Sequence, residues 1–226
     1  MAKAVVLLSG GLDSSTVLAL ALEAGDEVTA LSFDYGQRHS RELRSAQALA
    51  EHYGVRQVVS SLNPEIFRSS LVGEGENLPQ ERDPEGMAEE IPSTYVPARN
   101  IIMLSIAAGL CESLGGERIY LGANIVDYSG YPDCRPAFIA AFQEMLRQGT
   151  QAGVEGSPIK VETPIMSLSK GEIVKEALRL QVPLELTWSC YEGGEEACGV
   201  CDSCLLRLRG FQEAGAEDPL PYRRRK

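Results

Sequence analysis

The sequence is short of positive charge. Its 226 residues hold 21 Lys and Arg against 32 Asp and Glu, a net charge of −11. Proteins that grip long nucleic acid by its phosphates present a basic surface, so this balance argues against a nucleic-acid partner. The one dense basic run, Arg223-Arg224-Arg225-Lys226, is expected to be a frayed, solvated terminus. Long hydrophobic runs are missing too. No stretch approaches the roughly 20 apolar residues that span a bilayer. Met1-Ala2-Lys3 leads straight into a strand-like segment, without the long apolar run and small-residue cleavage site of a secretory leader. A cytoplasmic protein with no membrane partner is expected. Internal repeats and low-complexity tracts are also absent. What is there, 44% hydrophobic with charges well mixed, suits an ordinary packed core.

Apolar runs and helical stripes alternate along the chain. Ala4 to Leu8 is continuous and apolar, as in a parallel strand buried on both faces. Ser15 to Ala24 reads as a helix with Val17, Leu18, Ala21 and Leu22 on one face, stopped by Gly25. Strands are expected at Glu27 to Phe33, Arg56 to Ser60, Arg118 to Leu121 and Ile159 to Thr163. Helices are expected at Ser40 to Tyr53, Ala98 to Leu114, Pro136 to Arg147 and Ser169 to Leu180. Ser169 and Glu172 have capping-box spacing. This order predicts an α/β fold with a doubly wound parallel sheet. Asn63 to Pro97, with five prolines and many acids, interrupts it; residues 61–97 are expected to form a mobile insertion or lid, with a short helix at Pro64 to Ser70. The expected organisation is a nucleotide-binding domain over 1–186. A four-cysteine segment and C-terminal helix over 187–226 pack on the same unit.

Ser9-Gly10-Gly11-Leu12-Asp13-Ser14-Ser15 joins the first strand to the first helix. Glycines let the backbone approach a ligand, and a helix N-terminus offers free amides and a positive dipole end to an anion. Ser14, Ser15 and Thr16 add hydroxyl donors. This turn is therefore expected to bind phosphate. A Walker A loop would carry a lysine for the outer phosphates, and none follows here. The string instead resembles the pyrophosphate-binding loop of the ATP pyrophosphatase superfamily, whose members release pyrophosphate and transfer AMP to an acceptor oxygen. Asp13 reads as a magnesium or loop-orienting ligand rather than a nucleophile.

Four of the six cysteines crowd into one segment: Cys190, Cys198, Cys201 and Cys204. In a reducing compartment such a cluster reads as metal ligation. Four thiolates suit one tetrahedral zinc with no open position, a structural site; an iron–sulfur cluster or a redox pair are the alternatives. The metal would organise a wall of the active site. Cys111, in an apolar helix, reads as core.

Polar strings follow the strands, where doubly wound sheets bind ligands: Asp34 to His39, Gly122 to Arg135 and Pro164 to Lys170. Arg99 and Lys170 open helices, where the dipole disfavours cations, so each is expected to stand beside a bound anion.

Five strings carry a family resemblance: Ser9 to Ser14, Phe33 to His39, Val96 to Asn100, Asp127 to Arg135, and the cysteine cluster in its Ser189-Cys190-Tyr191 setting. In that order, from Ser9 to Cys204, the chain resembles the 7-cyano-7-deazaguanine synthase family, often called QueC. Asn63 to Pro97 matches least well. The resemblance implies an adenine nucleotide alpha hydrolase-like sheet, and a homodimer. It implies a ligase that joins 7-carboxy-7-deazaguanine and ammonia at the expense of ATP, with Mg2+ and one structural Zn2+ per chain. Asp13, Arg38, Arg99 and Lys170 are its implied catalytic residues, and Leu8, Ser9, Gly10, Gly11, Leu12, Asp13, Ser14, Ser15, Thr16, Val17 and Leu18 its implied nucleotide-binding stretch. Tyr35, Asn100, Asp127, Ser129, Gly130, Tyr131, Asp133 and Arg135 are the expected substrate contacts. Another amide-forming or tRNA-modifying member of the superfamily is the alternative enzyme. A zinc-ribbon interaction module would need basic and aromatic residues around the cysteines, where Glu192, Glu195, Glu196 and Asp202 stand instead.

Overall fold

Ala4-Val5-Val6-Leu7 lies at the centre of the sheet because every side chain in it finds an apolar partner. The computed structural model describes residues 1–37, 40–67, 69, 71, 95–126 and 131–223. In it, β1 (Lys3–Leu7) is flanked by β2 (Glu27–Asp34), with β3 (Arg56–Ser61) beyond. On its other side lie β4 (Arg118–Tyr120) and β5 (Lys160–Glu162). The order is β3-β2-β1-β4-β5 and every pairing is parallel.

Alternate residues of a strand face opposite ways. Ala4, Val6 and Leu8 enter one core, with Val17, Leu18 and Ala21 of α1 (Leu12–Glu23) and Leu49 of α2 (Arg41–Tyr53). Ile173 and Val174 of α6 (Lys170–Arg179) and Phe211 of α7 (Asp202–Ala214) complete that face. Val5 and Leu7 enter the other core, with Leu104 and Cys111 of α3 (Arg99–Ser113) and Phe142 and Leu146 of α4 (Pro136–Gly149). The one-turn α5 (Gln151–Val154) follows α4 directly. A third small core gathers Trp188, Leu220 and the four clustered cysteines.

Several boundaries differ from expectation for local reasons. Helix α1 starts at Leu12, not Ser15, because Gly11 is already the extended residue preceding it. The short helix expected from Pro64 is one 3-10 turn, Pro64–Ile66. Phe67 then turns extended and buries its ring edge-on against Tyr35. The capping box at α6 is present, with Glu172 N–H donating to Ser169 Oγ and Ser169 N–H to Glu172 Oε2. The basic tail does not fray at its first residue. Arg223 N–H donates to Ala197 O at 2.9 Å, and its guanidinium reaches Glu192 at 2.7 Å. Residues 224–226 lie outside the described residues, as does most of the expected lid. No helix among the described residues is long and apolar enough to cross a membrane.

From β1 the chain builds outward through β2 and β3, then crosses back to build β4 and β5 on the opposite side. Such a reversal leaves a crevice beyond the carboxyl ends of the central strands. A cavity of about 290 Å³ occupies it here, lined from Leu7 and Leu8, Phe33, Leu121, and the starts of α1, α3 and α6.

Candidate active site

The glycine turn is fixed by packing before any ligand arrives. Gly10 has φ +89°, and a Cβ there would meet Glu42 O and stand 2.6 Å from Ala46 N. So this glycine serves the approach of α2, whereas the sequence suggested approach of a ligand. On the other side, Trp188 N–H donates to Gly10 O at 2.8 Å, which ties the cysteine segment to the turn. Gly10→Ala combines a left-handed backbone with a clash against main chain. It should lower stability by about 3 kcal/mol, read as a fall in the denaturant midpoint.

At the N-terminus of α1, Gly11 provides no side-chain cap. The first amides of the helix therefore keep their donors for a ligand. Leu8, Ser9, Gly11, Leu12, Asp13 and Ser14 line the cavity. The rest of the expected nucleotide stretch faces elsewhere. Ser15 Oγ donates to Gly11 O at 2.6 Å and Thr16 Oγ1 to Leu12 O at 2.8 Å. Both are fully buried, and Val17 and Leu18 lie in the sheet core. A helix shows a ligand only its first turn, so residues from Ser15 onward serve packing. Ser14 Oγ also bonds locally, accepting from Ser9 N–H and donating to Gly11 O.

The two helix-opening cations converge on the cavity. Lys170 Nζ lies 2.9 Å from both carboxylate oxygens of Asp13. Its stem packs on Gly210, where a Cβ would strike it. Arg99 follows Ala98, which takes a left-handed φ of +55° to start α3. The Arg99 guanidinium stands close enough to the Tyr35 phenol for the two to interact electrostatically. Burial works against its charge, but Tyr35, Tyr131 and Cys134 beside it outweigh that and hold its pKa above the ordinary value. Burial likewise raises the Tyr35 phenol and pushes the Cys134 thiol up to about 11. Tyr35 and Tyr131 line the cavity.

Other expected substrate contacts have different roles. Asp133 is buried, and its Oδ2 accepts from Asn100 N–H at 3.0 Å, capping α3. Asn100 Nδ2 donates back to Asp133 O and to Cys134 Sγ. The pair clamps the start of α3; Asn100 still borders the cavity, whereas Asp133 does not. Arg135 is exposed at the N-cap of α4 and is not a lining residue. Arg38, Asp127, Ser129 and Gly130 lie outside the described residues.

One lining carboxylate escaped the sequence reading. Glu42, in the first turn of α2, faces the cavity. Burial, opposed by Arg99 and aided by Cys190, raises its pKa to about 7. An acid in a first helical turn is ordinary dipole chemistry, so nothing in the sequence set it apart.

The four cysteines pass the test of a metal site. Their sulfurs lie within 4.8 Å of one another and all are buried. Backbone amides point at them: Cys198 N–H donates to Cys190 Sγ, and Val200 and Cys201 N–H donate to Cys198 Sγ. Amide donors of this kind stabilise thiolates. Four soft donors in one closed group fit a tetrahedral ion.

A family model described as "Queuosine biosynthesis protein QueC" matches residues 3–215. The 7-cyano-7-deazaguanine synthase of Thermoplasma acidophilum is 55% identical over 220 residues, 97% of this chain and 92% of that protein. The protein of the same name from Nostoc sp. is 53% identical over 222 residues, 97% of each. That from Acetivibrio thermocellus is 52% identical over 225 residues, spanning both chains completely.

Proposed function

The chain belongs to the QueC family of queuosine biosynthesis proteins, and on that premise we propose that its cavity turns 7-carboxy-7-deazaguanine into 7-cyano-7-deazaguanine with ATP and ammonia. It is an ATP-consuming ligase that forms C–N bonds. A carboxylate oxygen is a poor leaving group. Transfer of AMP onto it makes a good one, and ammonia displaces AMP to give the amide. Removing the second oxygen repeats the activation on the amide with a second ATP.

One observation carries this reading: the uncapped start of α1 opens beyond the central strand, with a lysine and an arginine facing it. Amides at Leu12, Asp13 and Ser14 suit the outer phosphates. Lys170 and Arg99 suit charge developing at the phosphorus and the leaving group, and fixed charges in an enclosed site act strongly there. Tyr35 and Tyr131 offer ring faces and hydroxyls to the deazaguanine. Asp13 keeps lone pairs beyond its Lys170 contact, which fits a hard cation such as Mg2+. That ion would neutralise phosphate charge.

The test is direct. Protein supplied with the carboxy-deazaguanine, ammonium, ATP and magnesium should yield the nitrile mass together with AMP and pyrophosphate. Formation of ADP, or an untouched acid, sinks the proposal. Metal analysis should return one zinc per chain for the four cysteines, as a structural ion holding the wall that includes Trp188 and Ser189. Iron with broad visible absorption would identify a cluster instead. A homodimer in the cytoplasm completes the proposal, and light scattering should give twice the chain mass.

A further inference from the structure

We infer that Glu42 is the proton acceptor for nitrogen, taking the protons that ammonia and the amide shed in the cavity. The inference rests on the reaction proposed above, whose balance requires such a group. When ammonia bonds to the acyl carbon, the C–O bond to AMP breaks, AMP leaves with that electron pair, and one proton must leave nitrogen. In the second half, AMP transfer to the amide oxygen releases one N–H proton. Loss of AMP to form the C≡N bond releases another. The first adenylation differs, because a carboxylate attacks phosphorus and no proton moves.

Among the described lining residues, the candidates are few. Asp13 holds Lys170 with both oxygens at 2.9 Å. Arg99, Lys170 and Arg207 are cations. Tyr35 is no candidate, since burial raises its phenol and keeps it protonated. Cys134 is a thiol held protonated by burial. Glu42 is the lining carboxylate to which no described residue donates a hydrogen bond. Its place is fixed from behind, since its own carbonyl abuts Gly10. Arg99, Tyr35 and Cys190 are the titratable groups that interact with it electrostatically. Arg99 favours the charged form of the carboxylate through space. A carboxylate that lines the cavity with no described donor on its oxygens has lone pairs available to take a proton.

The experiment separates the two kinds of step. Full-length wild type, E42Q and E42D are compared in pyrophosphate exchange driven by the carboxy-deazaguanine without ammonia, and in amide and nitrile formation with it. E42Q should lose about 10²–10³-fold in amide and nitrile formation while exchange falls less than about tenfold. E42D should recover part of the amide rate. Equal losses in exchange and amide formation, or an amide rate within threefold of wild type, would overturn the inference. If E42Q does not fold, the same ratio in E42D decides, and an unchanged ratio counts against Glu42. Absence of exchange in wild type would instead sink the proposed reaction itself.

Discussion

Lys170→Met should cut turnover by about 10²–10³-fold while leaving the fold intact. The substitution keeps an unbranched stem of similar length for the contact with Gly210 and removes the charge. Nothing in α6 calls for a cation at its first position. The helix dipole disfavours it, and the helix already has its capping box. Yet Lys170 is nearly buried, with 8% of its side chain exposed, and spans from α6 to Asp13 at the head of α1. A charge kept there against local preference makes sense if an anion shares the cavity. Asp13 alone would then face the incoming phosphates as an uncompensated negative group. Steady-state kinetics should show the loss mainly in kcat, because charge develops during transfer. Turnover within threefold of wild type would remove Lys170 from the mechanism. Lys170→Arg should rescue poorly, since a planar fork does not reproduce a point charge in this fixed space.

Asp218→Ala should destabilise the protein by about 3–5 kcal/mol, a fall in Tm of roughly 8–15 °C for a chain of this size. Asp218 and Arg207 form an ion pair at 2.8 Å with 2% of each side chain exposed. Arg207 also donates to Thr187 Oγ1 at 2.7 Å and to Leu184 O. Asp218 accepts from Leu220 N–H and from the Tyr222 hydroxyl. Removing the carboxylate strands a guanidinium among buried groups that lack charge to match it. Replacing both partners, Arg207→Met with Asp218→Leu, should recover much of the loss, because the pair's own desolvation disappears with it. Thermal unfolding of the single and double variants checks both statements; a double variant no better than the single would show that the surrounding hydrogen bonds dominate. Asp218 and Tyr222 fall beyond residue 215, where the match to the family model ends. The brace is thus built partly by the tail.

Where a local pattern suffices, the sequence was a good guide. The apolar run at Ala4 to Leu8 demanded cover on both faces and receives it. The cysteine spacing brings four sulfurs together. Both depend on neighbours in sequence. What stayed hidden depends on distant ones. Lys170 and Asp13 are 157 residues apart, so their helix-opening positions were visible but their pairing was not. Gly10 seemed to serve a ligand until α2 was placed against it. Asp133, in a string rich in turn residues, proved to cap the start of a helix through Asn100, 33 residues earlier. Ser15 to Leu18, included in the nucleotide stretch by resemblance, lie past the exposed start of a helix that begins at Leu12 and pack inward. Arg207 and Asp218 carry no motif at all.

The backbone bond from Trp188 to Gly10 has a practical corollary. Trp188 is the sole tryptophan of the chain. Its indole is fully buried, donates to Cys190 O at 3.0 Å, and lies under the Arg41 guanidinium, 4.7 Å from the ring centroid. One fluorophore therefore touches the cysteine nest through its ring nitrogen and the nucleotide turn through its main chain. Emission excited at the red edge should serve as a built-in gauge of both places, shifting on addition or removal of zinc and, separately, on addition of ATP. No label need be attached to follow either event in real time.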